Sequence, residues 1–258
     1  MYHPFSVTET IRIAWNVLKN NFVTLIVYSI ASLFVYELVD FFNAFIFVDD
    51  DRFNQFIIIF LQIIVQAYLA LSFYKLILTL MDKEFYEFEF RDVLPSIKMT
   101  FNFVIIAILY GILIAALLFV NLLVERNFGN SIVFQILELL FLLFLLLRSI
   151  FCVCFIVDED SKPLESLKQS FEITKHNFFK TLGIFAIIIL IMILVLVPVI
   201  VLINLFSLDD KGGGYIFKLA FYCWFLITFP FVQVIIMVTY RKLVFSRLDV
   251  DDEIAETL

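Results

Sequence analysis

Six stretches of this chain are apolar for longer than the roughly 20 residues that a helix needs to cross a hydrocarbon layer. They cover 22–48, 56–80, 101–124, 131–157, 178–206 and 215–243. A 258-residue chain that is 63% hydrophobic and holds 34 Phe has more apolar surface than one water-soluble core of that size can hide. Insertion into a membrane resolves the excess, and the expected fold is all-α, a polytopic bundle of six transmembrane spans. The gaps between the runs carry charge or turn residues: DDDRFNQ at 49–55, DKEFYEFEFRDVLPS at 82–96, ERNFGN at 125–130, DEDSKP at 158–163 and SLDDKGGG at 207–214. Pro198 inside the fifth run predicts a kink or the end of its regular part.

The basic residues orient the bundle. Of 18 Lys and Arg, 13 fall on the side that holds both termini and four, Arg52, Arg126, Lys211 and Lys218, on the other, with Arg148 inside a run. Cytoplasmic segments keep the positive charge, so both termini are expected in the cytoplasm of a multi-pass protein of the inner or plasma membrane. The opening MYHPFSVTET lacks the basic region and short apolar core of a cleaved signal, and the first run is expected to stay as an anchor. A net charge of −7 without any Lys/Arg-rich run argues against nucleic acid as a partner. Cys152, Cys154 and Cys223 all lie inside apolar runs, where small buried hydrophobes are expected.

The chain also repeats itself. ETIRIAWNVLKNNF at 9–22 and ESLKQSFEITKHNF at 165–178 each lead into an apolar run. Helical spacing puts Ile11, Trp15 and Leu18 on one stripe and Leu167, Phe171 and Thr174 on the other, with basic residues including Lys19 and Lys175 opposite. Both are expected to be amphipathic helices on the cytoplasmic face before spans 1 and 5, with Trp15, Lys19, Phe171 and Lys175 at the interface. Ser6-Val-Thr-Glu9 has the spacing of a capping box, and Pro163 suits the first turn of the second copy. The single domain 1–258 would then contain a parallel repeat of 5–80 and 161–245, with a weaker third unit over 88–157 that begins near FRDVLPSIKMTFNF. The alternative is convergence, since any passage from cytoplasm into a membrane favours polar, then basic, then aromatic residues.

The stretch RSIFCVCFIVDEDSKPLESLKQSFEITKHNF at 148–178 resembles a pattern of prokaryotic membrane proteins: an Arg in an apolar run, an acidic cluster, then a helix with Thr-Lys before the next span. The pattern is that of the membrane domain preceding some glycerophosphodiester phosphodiesterases and of related stand-alone integral proteins of unassigned function. FPFVQ at 229–233 and VTYRKL at 238–243 are similar to the last span of that family. The resemblance covers the second half of the chain. It implies a six-span membrane domain without the soluble phosphodiesterase, because no metal-binding carboxylates and His residues of such a domain follow.

Ionisable groups inside apolar runs are the default functional candidates. These are Arg148, Glu37, Asp40 and Glu138. Arg148 lies ten residues inside the fourth run, about 15 Å from its cytoplasmic end, and Glu37 is the carboxylate at the best-matched depth. Their pairing would serve as a clasp between helices, or the Arg148 region would take a lipid headgroup or substrate. EFYEFEF at 84–90 alternates as a short strand or an aromatic interfacial loop would. No catalytic constellation and no metal or cofactor motif is recognisable, and the chain is expected not to be an enzyme. The expected function is a non-catalytic membrane protein that organises or associates with membrane lipids and other membrane proteins; the alternative is a transporter or permease subunit with a polar site around Arg148.

Overall fold

A computed structural model describes residues 6–46, 52–82, 90–129, 132–175, 177–206 and 213–256. The described residues form ten α-helices and no strand: α1 (Val7–Asn20), α2 (Phe22–Ile46), α3 (Arg52–Asp82), α4 (Phe90–Val93), α5 (Ile97–Phe128), α6 (Ile132–Ser149), α7 (Cys152–Glu159), α8 (Pro163–Lys175), α9 (Phe178–Phe206) and α10 (Gly213–Glu256). Six helical stretches are long and apolar enough to cross a membrane, the architecture of a multi-pass membrane protein. The alternating segment 84–90 lies outside the described residues apart from Phe90, which starts α4.

The chain divides into two compact units. Unit 1 holds α1, α2, the last residues of α3, α9 and α10; unit 2 holds the first part of α3 and α4 to α8. In unit 1, α1 lies along α10, and α2 also packs on α10. Glu9 pairs with Lys242 at 2.5 Å and Trp15 meets Phe231 edge-on at 5.8 Å, so α1 and α10 run antiparallel. Arg241 reaches Asp82 at the end of α3 at 2.6 Å. The indole of Trp224 donates to the Met192 carbonyl at 3.1 Å, which holds α10 to α9.

The buried face of α1 shares Leu18 with the Ile11/Trp15/Leu18 stripe and adds Thr10 and Ala14. Thr10, Ala14 and Leu18 are buried, whereas Trp15 is 55% exposed. Thr10 and Ala14, four residues apart, are small enough to let two helix backbones approach, which an Ile/Trp row would prevent. The capping box does not form either. Ser6 stands at the N-cap without a side-chain cap bond, and the Glu9 carboxylate pairs with Lys242. At the start of α5, Ser96 does cap, accepting from the Met99 amide at 3.1 Å. Gly129 ends that helix with φ +76, a left-handed conformation that an L side chain would strain.

Both repeated segments contain a short helix, a break at an Asn and an apolar helix that starts with Phe. Asn21 separates α1 from α2, and Asn177 precedes α9, which passes Pro198 without interruption. Cys223 departs from expectation, being exposed on α10 where a small hydrophobe was to be buried; Cys152 and Cys154 are buried.

Candidate functional site

The fourth apolar run is not one helix. α6 ends at Ser149, Ile150 and Phe151 form a turn, and α7 begins at Cys152. The two pieces have different surroundings. α6 exposes Leu, Ile and Phe on nearly every side, Ile132 by 68%, and buries only Leu147 and Ser149. Residues 151–157, in contrast, are all buried, with α5 and α8 packed against α7. The environment therefore changes at Arg148, and an 18-residue α6 is about 27 Å long, close to the hydrocarbon thickness.

A turn within an apolar helix frees backbone groups that an apolar medium cannot satisfy. One side chain satisfies two of them: the Ser170 hydroxyl in α8 donates to the Arg148 carbonyl at 2.7 Å and accepts from the Phe151 amide at 3.2 Å. Ser170 can do this because α7 and α8 form a tight hairpin. Asp160 adopts a left-handed conformation after α7, Lys98 of α5 pairs with Asp160 at 2.7 Å, and Asn102 donates to the Ser161 carbonyl at 3.3 Å. Ser161 donates to Gln169, whose amide in turn donates to Glu159 at 2.7 Å. α8 then returns along α7 with Ser166, Ser170 and Thr174 buried in one row.

At the end of that row is the Arg148 guanidinium. Its Nη1 donates to the Thr174 hydroxyl at 3.2 Å, and the Thr174 hydroxyl in turn donates to the Ser170 carbonyl at 2.8 Å. The guanidinium lies against two rings, Phe171 at 5.2 Å and Phe144 at 5.8 Å. Phe144 meets Phe178, the first residue of α9, at 5.7 Å. Arg148 is thus the last residue but one of α6, beside Phe144, Phe171 and Thr174. Nε is buried without a hydrogen-bond partner among the described residues. An unmet donor of this kind costs about 1–3 kcal/mol.

Each of the other sequence candidates has its place within one unit. Glu138 of α6 accepts from Asn121 of α5 at 3.2 Å, a polar tie between adjacent helices of unit 2. Glu37 belongs to unit 1, where the Tyr222 hydroxyl of α10 donates to it. Asp40 falls in α2, its side chain outside the described ones. Lys19 and Lys175 stand exposed in the last turns of α1 and α8. Trp15 contacts Phe231 in unit 1, and Phe171 lies beneath Arg148 in unit 2. Among the described residues no three His, Cys, Asp or Glu side chains are grouped as a metal ion requires.

Sequence reasoning missed Ser170 and Thr174 as the residues that organise Arg148, and placed Thr174 in an apolar stripe instead. The signal was present as Ser166, Ser170 and Thr174 at intervals of four, a hydroxyl row on one helix face. The chain matches no family model, no curated protein and no solved structure.

Proposed function

We propose that this chain is a non-catalytic integral membrane protein of the inner or plasma membrane that associates with lipids and organises them or partner proteins. The observation that carries this reading is the surface of the apolar helices. Ile132, Val133 and Leu137 on α6, Phe34 on α2 and Leu122 on α5 are all more than half exposed, a pattern that acyl chains can cover and water cannot. In this reading α1 and α8 are the amphipathic helices of the cytoplasmic face, and the basic asymmetry places both termini there. Purification in native-lipid particles, followed by stripping into detergent, tests it. Retained phospholipid and a fall in unfolding temperature on stripping are expected; a protein equally stable without lipid would refute the reading.

Orientation has its own measurement. Cysteines introduced at Asp50, Asn127 and Asp210, with Cys223 replaced by Ala, should react with an impermeant thiol reagent outside intact cells. Cysteines at Glu87 and Glu159 should react only after lysis, and the opposite pattern would invert the topology. A transporter or permease subunit is the second reading, favoured by the interruption between α6 and α7 beside Arg148, since broken helices next to charged groups build substrate sites. Solute flux into vesicles containing the pure protein would select it.

A further inference from the structure

We propose that the corner of α6 and α8 binds one anionic phosphate group, carried by a membrane lipid, through the donors of Arg148 that Thr174 leaves unused. The site rests on the lipid-associating reading of the bundle, and specifies the headgroup. Three observations lead to it.

The first is position. α6 is exposed and apolar up to Arg148, the chain is buried in protein just beyond it, and Phe144 meets the first residue of α9. A change from exposed apolar surface to buried surface along one stretch of chain marks the boundary of the hydrocarbon, and phosphates lie at that boundary. The second is unspent charge. A guanidinium has five N–H donors, and among the described residues this one makes a single hydrogen bond, to a neutral hydroxyl, while the buried Nε has no acceptor. Its described contacts include no carboxylate. A cation so placed gains most from an anion, and a phosphate offers paired oxygens that match the guanidinium fork. The third is preorganisation. Phe144 and Phe171 lie against the guanidinium, and Ser170 fixes the carbonyl of Arg148 itself, so little side-chain freedom remains to be lost on binding.

The test uses the full chain purified in a neutral detergent. Unfolding temperature is followed against dihexanoyl phosphatidylglycerol, dihexanoyl phosphatidylcholine, inorganic phosphate, and sodium chloride at matched ionic strength. A saturable rise with phosphatidylglycerol, absent with phosphatidylcholine and chloride and lost in Arg148→Gln, is the expected result. Arg148→Lys keeps the charge but not the fork, and should bind about tenfold more weakly, the equivalent of one lost charge-assisted hydrogen bond. If Arg148→Gln does not fold, the Arg148→Lys comparison carries the test alone. A rise with inorganic phosphate equal to that with phosphatidylglycerol would support the phosphate site but overturn the lipid as its source. A phosphatidylglycerol response unchanged in Arg148→Gln or Arg148→Lys, or matched by chloride, would overturn the site. Total lipid retained in native-lipid particles should be the same in wild type and Arg148→Gln. Loss of anionic selectivity at constant total lipid therefore concerns this site, whereas a protein indifferent to all lipid would refute the broader reading.

Discussion

α1 on α10 and α8 on α7 are two versions of one arrangement. In each, a short helix with Lys in its last turn packs antiparallel to the buried extension of an apolar helix, and the chain then breaks at Asn and enters a long apolar helix. The buried rows correspond with a constant offset: Thr10 with Ser166, Ala14 with Ser170, and Leu18 with Thr174. At the first position the chemistry is the same, a hydroxyl turned back on its own helix, Thr10 to the Ser6 carbonyl and Ser166 to the Pro163 carbonyl. At the next two, alkyl groups in α1 are replaced by hydroxyls in α8. The partner helices differ to match. α10 runs on through Pro230 as one helix, whereas the α6–α7 stretch is interrupted and carries Arg148 at the interruption. The small-residue row is thus a packing device in unit 1, and in unit 2 the same row also satisfies a broken backbone and a cation.

The largest effect expected from this difference is at Ser170. Ser170→Ala removes both the acceptor for the Phe151 amide and the donor to the Arg148 carbonyl, leaving two buried backbone groups unmet at about 1–3 kcal/mol each. The corresponding exchange in unit 1, Ala14→Ser, only adds a hydroxyl that can bond to the preceding turn, and should cost less than about 1 kcal/mol. Unfolding in mixed micelles measures both. Equal costs would mean that the α6–α7 break needs no support from α8, and the contrast between the units would fail.

What was legible in the sequence divides along the same line. The six long helices follow from run length, because only a helix satisfies 20 successive backbone amides within one continuously apolar run. The break at Ile150–Phe151 was invisible, since Arg148 and Ser149 interrupt a run of Leu, Ile, Phe, Cys and Val that is otherwise as helical and apolar on both sides. What permits the turn is a hydroxyl some twenty residues later in the chain, and periodicity within one run cannot report a partner in another. The buried Thr10 and Ala14 of α1 were overlooked for a related cause. Trp15 and Ile11 dominate any count of hydrophobicity, but the close approach of two helices is set by their smallest side chains, Thr10 and Ala14. Glu9 was assigned to its own helix terminus because local spacing was all that the sequence offered, and Lys242 lies at the other end of the chain.

A smaller effect is expected at the aromatic position, where the two versions hold Trp15 and Phe171. Trp15→Leu loses the edge contact with Phe231 and should cost about 0.5–1.5 kcal/mol, since the indole is already more than half exposed. Phe171→Leu loses one face of the Arg148 cradle as well as packing. It should therefore weaken the phosphatidylglycerol response that Trp15→Leu leaves intact. If both substitutions lowered stability alike and neither touched the lipid response, the aromatic position would be packing in both units, and only the hydroxyl row would separate them.

The smallest difference lies at the acidic residue that opens each segment, Glu9 in α1 and Glu165 in α8. Glu9 is 2.5 Å from Lys242, with side chains 53% and 26% exposed, while Glu165 is exposed in the first turn of its helix. An ion pair open to solvent on one side contributes about 0–1 kcal/mol and is screened by salt, whereas an acidic residue at a helix start gains a few tenths from the macrodipole alone. Both residues have the second contribution, and only Glu9 has the first. Glu9→Gln should therefore lower stability slightly more than Glu165→Gln, and the gap should narrow between about 0.05 and 1 M salt as the Debye length falls to about 3 Å. Lys242→Gln should reproduce the gap, because it removes the pair and leaves the helix start alone. A difference that survives high salt would place the role of Glu9 in direct hydrogen bonding rather than in charge, and would make the start of α1 as specifically held as the Arg148 corner.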